Sequence, residues 1–375
     1  MSLRDRLGIS TAATPNRRRK LYERFGVVEN PFPPASQPMG HPHLANNADV
    51  AIERRLRTFI DENDTQTVVI EGTQGTGKTN ILEFYKEELS KIFSDEQGYY
   101  IVRYYADPEP DFGAVVRRII QEFGSDHIRG VANALRKLPP AEQKAILGNV
   151  QNVDMRTAFY RVLDSQSDMV YELILEFLMG MRILKRHTEA LGVRFRLDTT
   201  ESKIQAFHDL VNLSRSVDRF KAIFLFLDEL EKQGAQSPAI VQRYLSAIRA
   251  LIDALPKYMF LVMAMTPDAR RRYSQMLPAL AGRLRLTIEL FPLADIDEAV
   301  SLGAFYLDRS RDTAASEVAG QGWSAGAQAP LDDDTIRRLF TTMKSTAERF
   351  GVQGVTQRSF LERLYSETEK IFDMP

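Results

Sequence analysis

The sequence predicts an α/β protein in which helices wrap a parallel β-sheet, followed by a smaller, purely helical part. Short apolar runs alternate with longer helical patterns over residues 50–290. A glycine-rich segment connects the first of these runs directly to a helical pattern, and helical patterns dominate from residue 293 onward. We therefore predict an extended lead-in over residues 1–44, an α/β core over 45–292 and a helical lid over 293–375.

Composition restricts the chemistry. The 375 residues are 44% apolar, enough for a sizeable core, and carry a formal net charge of −1. The absence of cysteine excludes disulfides, thiolate metal sites and cysteine nucleophiles. The first residues lack an apolar signal core, and no apolar run approaches the length of a membrane span. We predict a cytoplasmic protein without membrane contact, in which any nucleic-acid contact comes from local basic patches.

The elements before residue 110 follow from local patterns. The lead-in is basic and then proline-rich, which predicts an extended segment because each proline removes a backbone donor. A helix then starts near Asn47 or Asp49, either of which can cap it. Residues 65–72 (TQTVVIEG) predict a buried strand, residues 78–93 a helix, and residues 98–107 (GYYIVRYYAD) a second strand.

Beyond these elements, long helical patterns are interrupted by three more strands. Residues 111–217 repeat apolar side chains every three or four positions, which is typical of helices. The strands are KAIFLFLD, KYMFLVMAMT and RLTIELFPL, and the helix SPAIVQRYLSAIRALIDAL lies between the first two. The remaining chain is helical apart from the alanine- and glycine-rich stretch TAASEVAGQGWSAGAQAP.

The glycine-rich segment matches the phosphate-binding pattern G-x-x-x-x-G-K-[ST]. Glycines let successive N–H groups face phosphate oxygens, and the following helix directs its positive end at them. Lys78 is predicted to reach the β- and γ-phosphates and Thr79 to bind Mg²⁺. The alternative is an ordinary tight strand-to-helix turn. The predicted nucleotide-binding residues here are Gly72, Thr73, Gln74, Gly75, Thr76, Gly77, Lys78, Thr79 and Asn80.

Two adjacent carboxylates, Asp228 and Glu229, follow six apolar residues in AIFLFLDELEK. A buried carboxylate needs a cation or hydrogen-bond donors, and Asp228 is predicted to be a magnesium ligand beside Lys78. Glu229 is predicted to be the base that polarises the attacking water. An acid directly after the metal-binding aspartate separates hydrolases from nucleotide-dependent kinases, whose acceptor is a substrate hydroxyl rather than water. The alternatives are a helix cap for Asp228 and a solvated loop acid for Glu229.

Thr266 ends the strand KYMFLVMAMT, because Pro267 stops the ladder. Ligands of open α/β sheets bind at the carboxyl edge of the strands. Thr266 is therefore predicted to contact the γ-phosphate or the attacking water, the alternative being a simple strand-ending threonine.

The order of these segments along the chain resembles that in the AAA+ P-loop ATPases. Within this family, the sequence resembles the branch of origin-recognition and related bacterial DNA-transaction ATPases. The matching segments are GTQGTGKT, FLFLDELEK, AMTPDARRR, PALAGRLRLTIELFPL and VTQRSF, and the likeness spans about residues 45–375. The sequence DELEK…MAMTPDARRR is also similar to ATPase subunits of bacterial antiphage systems. The resemblance implies Mg²⁺-dependent ATP hydrolysis.

The resemblance also assigns roles by position. Thr266 resembles the sensor-1 residue, and Arg358 resembles sensor 2, which projects from a lid helix onto the nucleotide. Arg283 is similar to the arginine that a subunit presents to its neighbour's γ-phosphate, with Arg285 as the rival; such fingers raise rates by 10³–10⁵. The alternative for each arginine is a solvated surface position. Residues 30–34 and 38–43 resemble a lead-in that packs beside the adenine.

Two departures from that family are predicted to matter. Lys78 and Asp228 lie 150 positions apart, so residues from about 125 to 200 are predicted to be a helical insertion that docks a partner or DNA. The chain ends soon after VTQRSFLERLYSETEKIF, without room for a winged-helix domain, which argues against sequence-specific origin binding.

The leading hypothesis is an ATP-hydrolysing protein that forms homo-oligomers with nucleotide. It acts on DNA, or loads or regulates a DNA-acting partner such as a nuclease, in a bacterial defence, transposition or replication-type system. DNA contact is predicted through basic patches at residues 17–20, 117–118 and 270–272, each of which could instead be solvated surface. The alternatives are a STAND-like nucleotide switch with slow turnover and a scaffold that uses ATP only to hold a complex together.

Overall fold

A five-stranded, all-parallel sheet organises the larger part of the protein. The computed structural model describes residues 17–34, 42–108, 110–165, 167–318, 328–352 and 354–373, and the side chains of residues 17–20 are outside this description. The strand order is β2-β3-β4-β1-β5, and every pairing is parallel. The strands are β1 (Gln66–Gly72), β2 (Tyr99–Tyr105), β3 (Ala222–Asp228), β4 (Met259–Met265) and β5 (Leu286–Leu290).

The described residues divide into two compact units. The sheet unit comprises residues 45–72 and 78–290, and the helical unit comprises the remainder, including residues 73–77. The α/β fold class is confirmed, with its parallel sheet, its long helical stretch between β2 and β3, and its helical C-terminal part. The domain boundaries predicted at residues 44 and 292 stay predictions.

Helices cover both faces of the sheet. One face packs against α2 (Asn47–Glu62) and α3 (Lys78–Ile92). The other packs against the helices that follow β2 and β3. The strands supply alternate residues to the two cores: Phe224 and Phe226 of β3 face α2 and α3, while Leu225 and Leu227 face the opposite side. This two-sided burial explains why the strands are continuous apolar runs.

The N-cap of helix α2 lies one residue before the predicted positions. Asn46 is its N-cap, accepting a hydrogen bond from the Ala48 N–H, and Asp49 at the third helical position accepts one from the Asn46 N–H at 2.7 Å. The prediction of Asn47 or Asp49 as the cap was wrong, because a reciprocal capping box needs the acidic residue three positions inside the helix.

The long helical stretch fills the chain between β2 and β3. Its helices are α4 (Gly113–Arg136), α5 (Pro140–Gly148), α6 (Val153–Asp164), α7 (Asp168–Leu178), α8 (Lys185–Leu191) and α9 (Thr200–Ser216). A break at Gly124, whose φ is 70° and ψ 172°, divides α4. The buried side chains of these helices form one continuous core with the sheet face, including Ile119, Phe159 and Phe207.

The remaining helices lie between strands or in the helical unit. The sheet unit contains α10 (Pro238–Ala254), α11 (Pro267–Met276) and α12 (Pro278–Ala281). The helical unit contains α1 (Arg17–Phe25), α13 (Ile296–Val318), α14 (Asp333–Arg349) and α15 (Gln357–Asp373). Phe32 of the lead-in is buried among α13–α15, and Phe25 packs against Phe372 at 5.8 Å between ring centroids. In the described part of the chain, none of the helices has the length and apolarity to cross a membrane.

A buried polar chain ties β2 to the helical stretch. The Tyr100 hydroxyl is hydrogen-bonded to His127 Nδ1 at 2.6 Å, and His127 Nε2 to Ser214 Oγ at 2.8 Å. The Ser214 hydroxyl in turn donates to the Leu210 carbonyl at 2.7 Å. Burial, and secondarily the charge of Arg219, lowers the pKa of His127 to about 3. The imidazole therefore stays neutral in the folded protein at every pH above about 3.

This network predicts a loss of stability in mild acid. In the unfolded chain His127 takes up a proton near pH 6.5, whereas in the folded protein it does not. Its contribution is fully present above pH 6.5 and is lost at about 1.4 kcal/mol for each pH unit below that, down to about pH 3. Denaturant unfolding at about pH 7.5 and about pH 5 measures the slope.

The control for this prediction is His127→Gln. The amide can keep part of the hydrogen bonding but does not titrate, so the variant should be less stable at neutral pH and depend less on pH between about 5 and 7. Equal slopes for the two proteins would show that His127 does not carry the acid sensitivity.

Candidate nucleotide-binding site

The predicted phosphate loop connects β1 to α3. Gly72 is the last residue of β1 and Lys78 the first of α3, so the loop has the strand–turn–helix context that a phosphate-binding loop requires. Lys78 is buried, at 7% exposure, and its ammonium donates to the Gly72 carbonyl at 2.7 Å. A buried ammonium placed against the strand end is where a phosphate oxygen can replace a carbonyl as its acceptor.

The loop residues 73–77 belong to the helical unit and pack against the start of α15. The Arg358 N–H donates to the Gly75 carbonyl at 3.1 Å. Gly75 and Gly77 have φ of +85° and +96°, in the left-handed region that favours glycine. A Cβ on Gly75 would come within 2.8 Å of the Thr356 hydroxyl oxygen, so both the backbone and the space require glycine there.

Asp228 lies at the carboxyl end of β3 with no exposed surface. One carboxylate oxygen accepts from the Glu229 N–H at 2.9 Å, and the other accepts from the Arg103 guanidinium at 2.9 Å. The strand therefore ends in a buried carboxylate whose two oxygens each have a hydrogen-bond donor.

Arg103 is the cation that makes this burial possible. It lies in the middle of β2, and its side chain is 2% exposed. Its guanidinium pairs with Glu83 of α3 as well as with Asp228, and it lies 4.4 Å from the centre of the Tyr105 ring. Arg103 thus connects β2, β3 and the helix that follows the phosphate loop.

Glu229 has a backbone conformation that is uncommon for a residue with a side chain. Its φ and ψ are 56° and 35°, and it precedes a short 3₁₀ helix, Leu230–Ala235. Its carboxylate pairs with Lys232 at 2.7 Å, and Lys232 also lies 3.8 Å from Asp107. Strained backbone of this kind clusters at functional sites, because the turn directs a side chain away from the sheet core.

A third acid, Glu231, joins this region. Its Oε2 is buried without a hydrogen-bond partner. Burial is the main cause that raises the pKa of Glu231; the charges of Asp228 and Glu229 raise it as well, while a backbone hydrogen bond and the Lys78 ammonium lower it. The predicted placing of Asp228 beside Lys78 stays a prediction.

A divalent cation bound with nucleotide fits this donor set. Among the described residues, no group of three or more histidine or acidic side chains could hold a metal ion by itself. Mg²⁺ is ordinarily held by one or two protein oxygens together with phosphate oxygens and waters. The Thr79 hydroxyl and the Asp228 carboxylate supply such oxygens, so the residues suit a cation that arrives with a phosphate.

Thr266 follows β4, which lies between β3 and β1 in the sheet. Its hydroxyl oxygen caps α11 by accepting from the Ala269 N–H at 3.4 Å. At the carboxyl edge of the sheet, Thr266 therefore follows the strand between β3, which ends at Asp228, and β1, which ends at Gly72. The Thr266 hydroxyl can still donate a hydrogen bond.

The two candidate finger arginines differ in their partners. Arg283 pairs with Asp253 of α10 and donates to the Ala279 carbonyl at 2.8 Å. The Arg285 side chain is exposed, and the structure records no ion pair for it within the described ranges. Arg283 would have to leave an existing pair to reach a neighbouring subunit, whereas Arg285 would not.

The other predicted contacts lie in the helical unit. The Arg358 side chain is exposed, and its backbone contacts the phosphate loop as described. The Asn30 side chain donates to the Tyr365 carbonyl and to Glu369 at 3.1 and 3.0 Å, so it is engaged in packing the lead-in against α15. Residues 35–41, which include part of the predicted adenine-side segment, lie outside the described residues.

The predicted basic patches are only partly available for binding. Arg118 pairs with Glu122. Arg270 donates to Ser274 and Arg272 to the Gly234 carbonyl. Arg17–Lys20 lie in α1, and their side chains are outside the described part of the chain.

Sequence reasoning missed Arg103, Glu231 and Lys232. One signal for Arg103 was present: a lone charge within the apolar strand YYIVRYY must find a buried partner. The alternating acids of DELEK could have suggested Glu231. Nothing in the sequence indicated that Lys232 pairs with the predicted catalytic base.

Solved structures with a similar fold are origin-recognition and Cdc6 proteins. One is the ORC2 protein of Aeropyrum pernix in ADPNP–ADP complexes, with a TM-score of 0.42 and 14% identity over 88% of this chain and 69% of that chain. Another is the same protein in its ADP form, with a TM-score of 0.39 and 14% identity over 87% of this chain and 70% of that chain. A third is CDC6P from Pyrobaculum aerophilum (0.37, 16%, 88% and 68%). No protein-family profile matches the chain, and no curated protein matches it significantly.

The names of these neighbours are those of origin-recognition and Cdc6 proteins. The bacterial side of the resemblance has no counterpart among them. The TM-scores and identities are too low to transfer a ligand, an activity or a partner to this chain, so the function is argued from its own residues.

Proposed function

We propose that the protein binds ATP with Mg²⁺ and hydrolyses it. The observation that carries this proposal is the arrangement of one sheet edge: a buried lysine begins the helix after a glycine loop, and a buried aspartate ends a strand of the same parallel sheet. A cation for phosphate and a carboxylate for its metal are the two charges that a nucleoside triphosphate site needs.

The chemistry assigned to this chain's residues is hydrolysis by an activated water. The Glu229 carboxylate takes a proton from the water while the water oxygen forms a bond to the γ-phosphorus. The bond between the γ-phosphorus and the oxygen that leaves with ADP breaks. Lys78 and the loop N–H groups carry the negative charge of the phosphates. The Thr266 hydroxyl donates to the γ-phosphate or orients the water, and bound Mg²⁺ supplies further neutralisation of phosphate charge.

The remaining roles concern assembly and the state of the nucleotide. Arg358 is proposed as the sensor because its backbone holds the phosphate loop while its guanidinium remains exposed. Arg283, or Arg285 in its place, is proposed to reach the γ-phosphate of a neighbouring subunit in a nucleotide-dependent homo-oligomer. Hydrolysis is proposed to drive action on DNA or on a DNA-acting partner, in a defence, transposition or replication-type process.

The test of ATP binding is Lys78→Ala. Loss of a buried cation that faces phosphate is expected to weaken Mg·ATP binding by at least about a hundredfold and to remove hydrolysis. Binding is measured by equilibrium titration with a fluorescent ATP analogue, and hydrolysis by phosphate release.

The matched control is Lys91→Ala, in the same helix, whose exposed ammonium pairs with Glu88. It should bind and hydrolyse ATP as the unchanged protein does. Equal ATP affinity in the Lys78 and Lys91 variants would exclude the proposed site. Sizing the unchanged protein with and without a non-hydrolysable ATP analogue tests the oligomer separately.

A nucleotide switch with slow turnover is the second candidate, and the Glu229–Lys232 pair favours it. A base held by an ammonium polarises water poorly until that pair is broken. Turnover that DNA stimulates supports the DNA-acting ATPase, whereas very slow turnover that is indifferent to DNA supports the switch.

A further inference from the structure

A second charged surface lies in the helical stretch of the sheet unit, away from the residues discussed so far. We call residues 181–198, which connect α7 to α9 and include the short helix α8, the basic loop. It carries five cationic residues and two anionic ones. The cationic residues, all exposed, are Arg182, Lys185, Arg186, Arg194 and Arg196.

The centre of the basic loop is an exposed aromatic ring between two arginines. Phe195 is 76% exposed, and Arg194 and Arg196 on either side are also exposed. The flanking residues Val193 and Leu197 are buried, at 7% and 3% exposure. The loop is therefore anchored to the core at both sides while the sequence Arg-Phe-Arg is presented to solvent.

A carboxylate holds this presentation in place. The Asp154 side chain accepts hydrogen bonds from two successive N–H groups, that of Arg194 at 3.1 Å and that of Phe195 at 2.9 Å. Asp154 lies in the first turn of α6. Because both carboxylate oxygens accept from the backbone, the chain at Arg194 and Phe195 is held in place by α6.

The other side of the basic loop is equally constrained. The Arg196 Nε donates to the Gly180 carbonyl at 2.9 Å, and Gly180 has a φ of +69°. A Cβ at Gly180 would lie 2.5 Å from the Leu197 carbonyl oxygen, so the two ends of the loop are in close contact. Arg196 is thereby held beside the chain segment that precedes Arg182.

We propose that the basic loop binds single-stranded DNA, with Phe195 stacking on a base and the surrounding arginines and lysine contacting phosphates. Sequence-tolerant binding of single strands combines these two elements, an aromatic platform and a cationic track along the backbone. Phenylalanine has few side-chain torsions to order on stacking, so little conformational entropy is lost. Arg196 pairs with Asp198 at 2.9 Å and Lys185 lies 3.9 Å from Glu189, and the excess of five cations over two anions leaves the complementary charge.

The ring distinguishes a single strand from the other anionic partners. In a duplex the base faces are covered by their neighbours, so a protruding phenylalanine finds no face to stack on. An acidic protein segment would pair with the cations but would have no planar group for the ring. Binding should therefore depend on Phe195 for an unpaired strand and not for either of these.

This inference deepens the proposed function, on whose DNA-directed part it rests. The experiment uses the full chain without nucleotide and follows the fluorescence anisotropy of a labelled oligothymidylate. Phe195→Ala is expected to weaken binding by about 5-fold to 150-fold, the range for losing one stacked base. Phe350→Ala is the control, because Phe350 is also 76% exposed but lies in the helical unit.

Two further variants separate stacking from charge. Arg194→Gln with Arg196→Gln should reduce the slope of log affinity against log salt by about 1.4, whereas Arg54→Gln with Arg57→Gln in α2 should not.

Asp154→Ala removes a negative charge, so charge alone predicts tighter binding. Loss of the backbone contacts predicts weaker binding, and the proposal requires the weaker result. Circular dichroism and thermal melting check that each variant is folded.

Several outcomes would overturn the proposal: no binding of the oligonucleotide, equal losses for Phe195→Ala and Phe350→Ala, tighter binding by Asp154→Ala, or a preference for duplex DNA or for an acidic peptide. ATP hydrolysis is measured on the same samples. Unchanged oligonucleotide binding by Phe195→Ala together with normal hydrolysis would remove this inference and leave the ATPase proposal intact. Retained ATP binding by Lys78→Ala would do the reverse.

Discussion

Replacing Glu229 with glutamine is expected to leave ATP bound while hydrolysis falls by at least about a hundredfold, the smallest usual contribution of a general base. Glutamine keeps the shape of the side chain but cannot accept a proton from water. The hydrogen bond from the backbone N–H of residue 229 to Asp228 is unchanged, so the carboxylate proposed to bind the metal should remain in place. Equilibrium binding of the ATP analogue and phosphate release under saturating Mg·ATP measure the two effects separately.

The chain offers a close control in Glu88→Gln. Glu88 and Glu229 have equally exposed side chains, 38%, and each pairs with a lysine three residues later. Only the Glu229 variant should lose turnover. Normal hydrolysis by Glu229→Gln would remove this residue from the role of base and direct attention to Glu231, the buried acid two positions later.

The second large effect is expected at Arg103. Replacing it with methionine leaves Asp228 and Glu83 without their buried cation. Breaking a buried ion pair from one side costs about 3–5 kcal/mol, because an uncompensated charge stays inside the protein. The free energy of unfolding by denaturant should fall by that amount, and the affinity for Mg·ATP should fall because Asp228 is no longer held.

Two comparisons sharpen this prediction. Arg118→Met removes an arginine from an exposed pair with Glu122 and should change the unfolding free energy by no more than about 1 kcal/mol. Adding Asp228→Asn to the Arg103 variant removes the unpaired charge, so the double variant should lose less than the sum of the two single losses. Additive losses, or equal losses for Arg103→Met and Arg118→Met, would show that the buried pair is not coupled.

The sheet and the loop between β1 and α3 could be predicted from sequence because their signals are local. Continuous apolar runs identify β3 and β4, and the glycine–lysine pattern locates the loop between β1 and α3. The cap of α2 was missed by one residue, since Asn46, Asn47 and Asp49 are all competent caps and only the reciprocal bond decides among them.

The partners of the predicted site residues could not be predicted, because they come from distant parts of the chain. Arg103 meets Asp228 across 125 positions, through the pairing of β2 with β3. Arg283 meets Asp253 only because α10 and the segment before β5 pack together. Periodicity gives the faces of helices and strands, but not which charged side chains meet when those faces come together.

The single core shared by α4–α9 and the sheet has a consequence for protein engineering. A truncated protein that lacks these helices would expose the part of this sheet face that they cover and leave the Tyr100 hydroxyl without its imidazole partner. Grafting the helices onto another scaffold would likewise expose the buried side chains that they share with the sheet. The segment that interrupts the sheet in sequence is thus part of the same interior, and a shortened protein would have to replace the apolar surface that the segment buries.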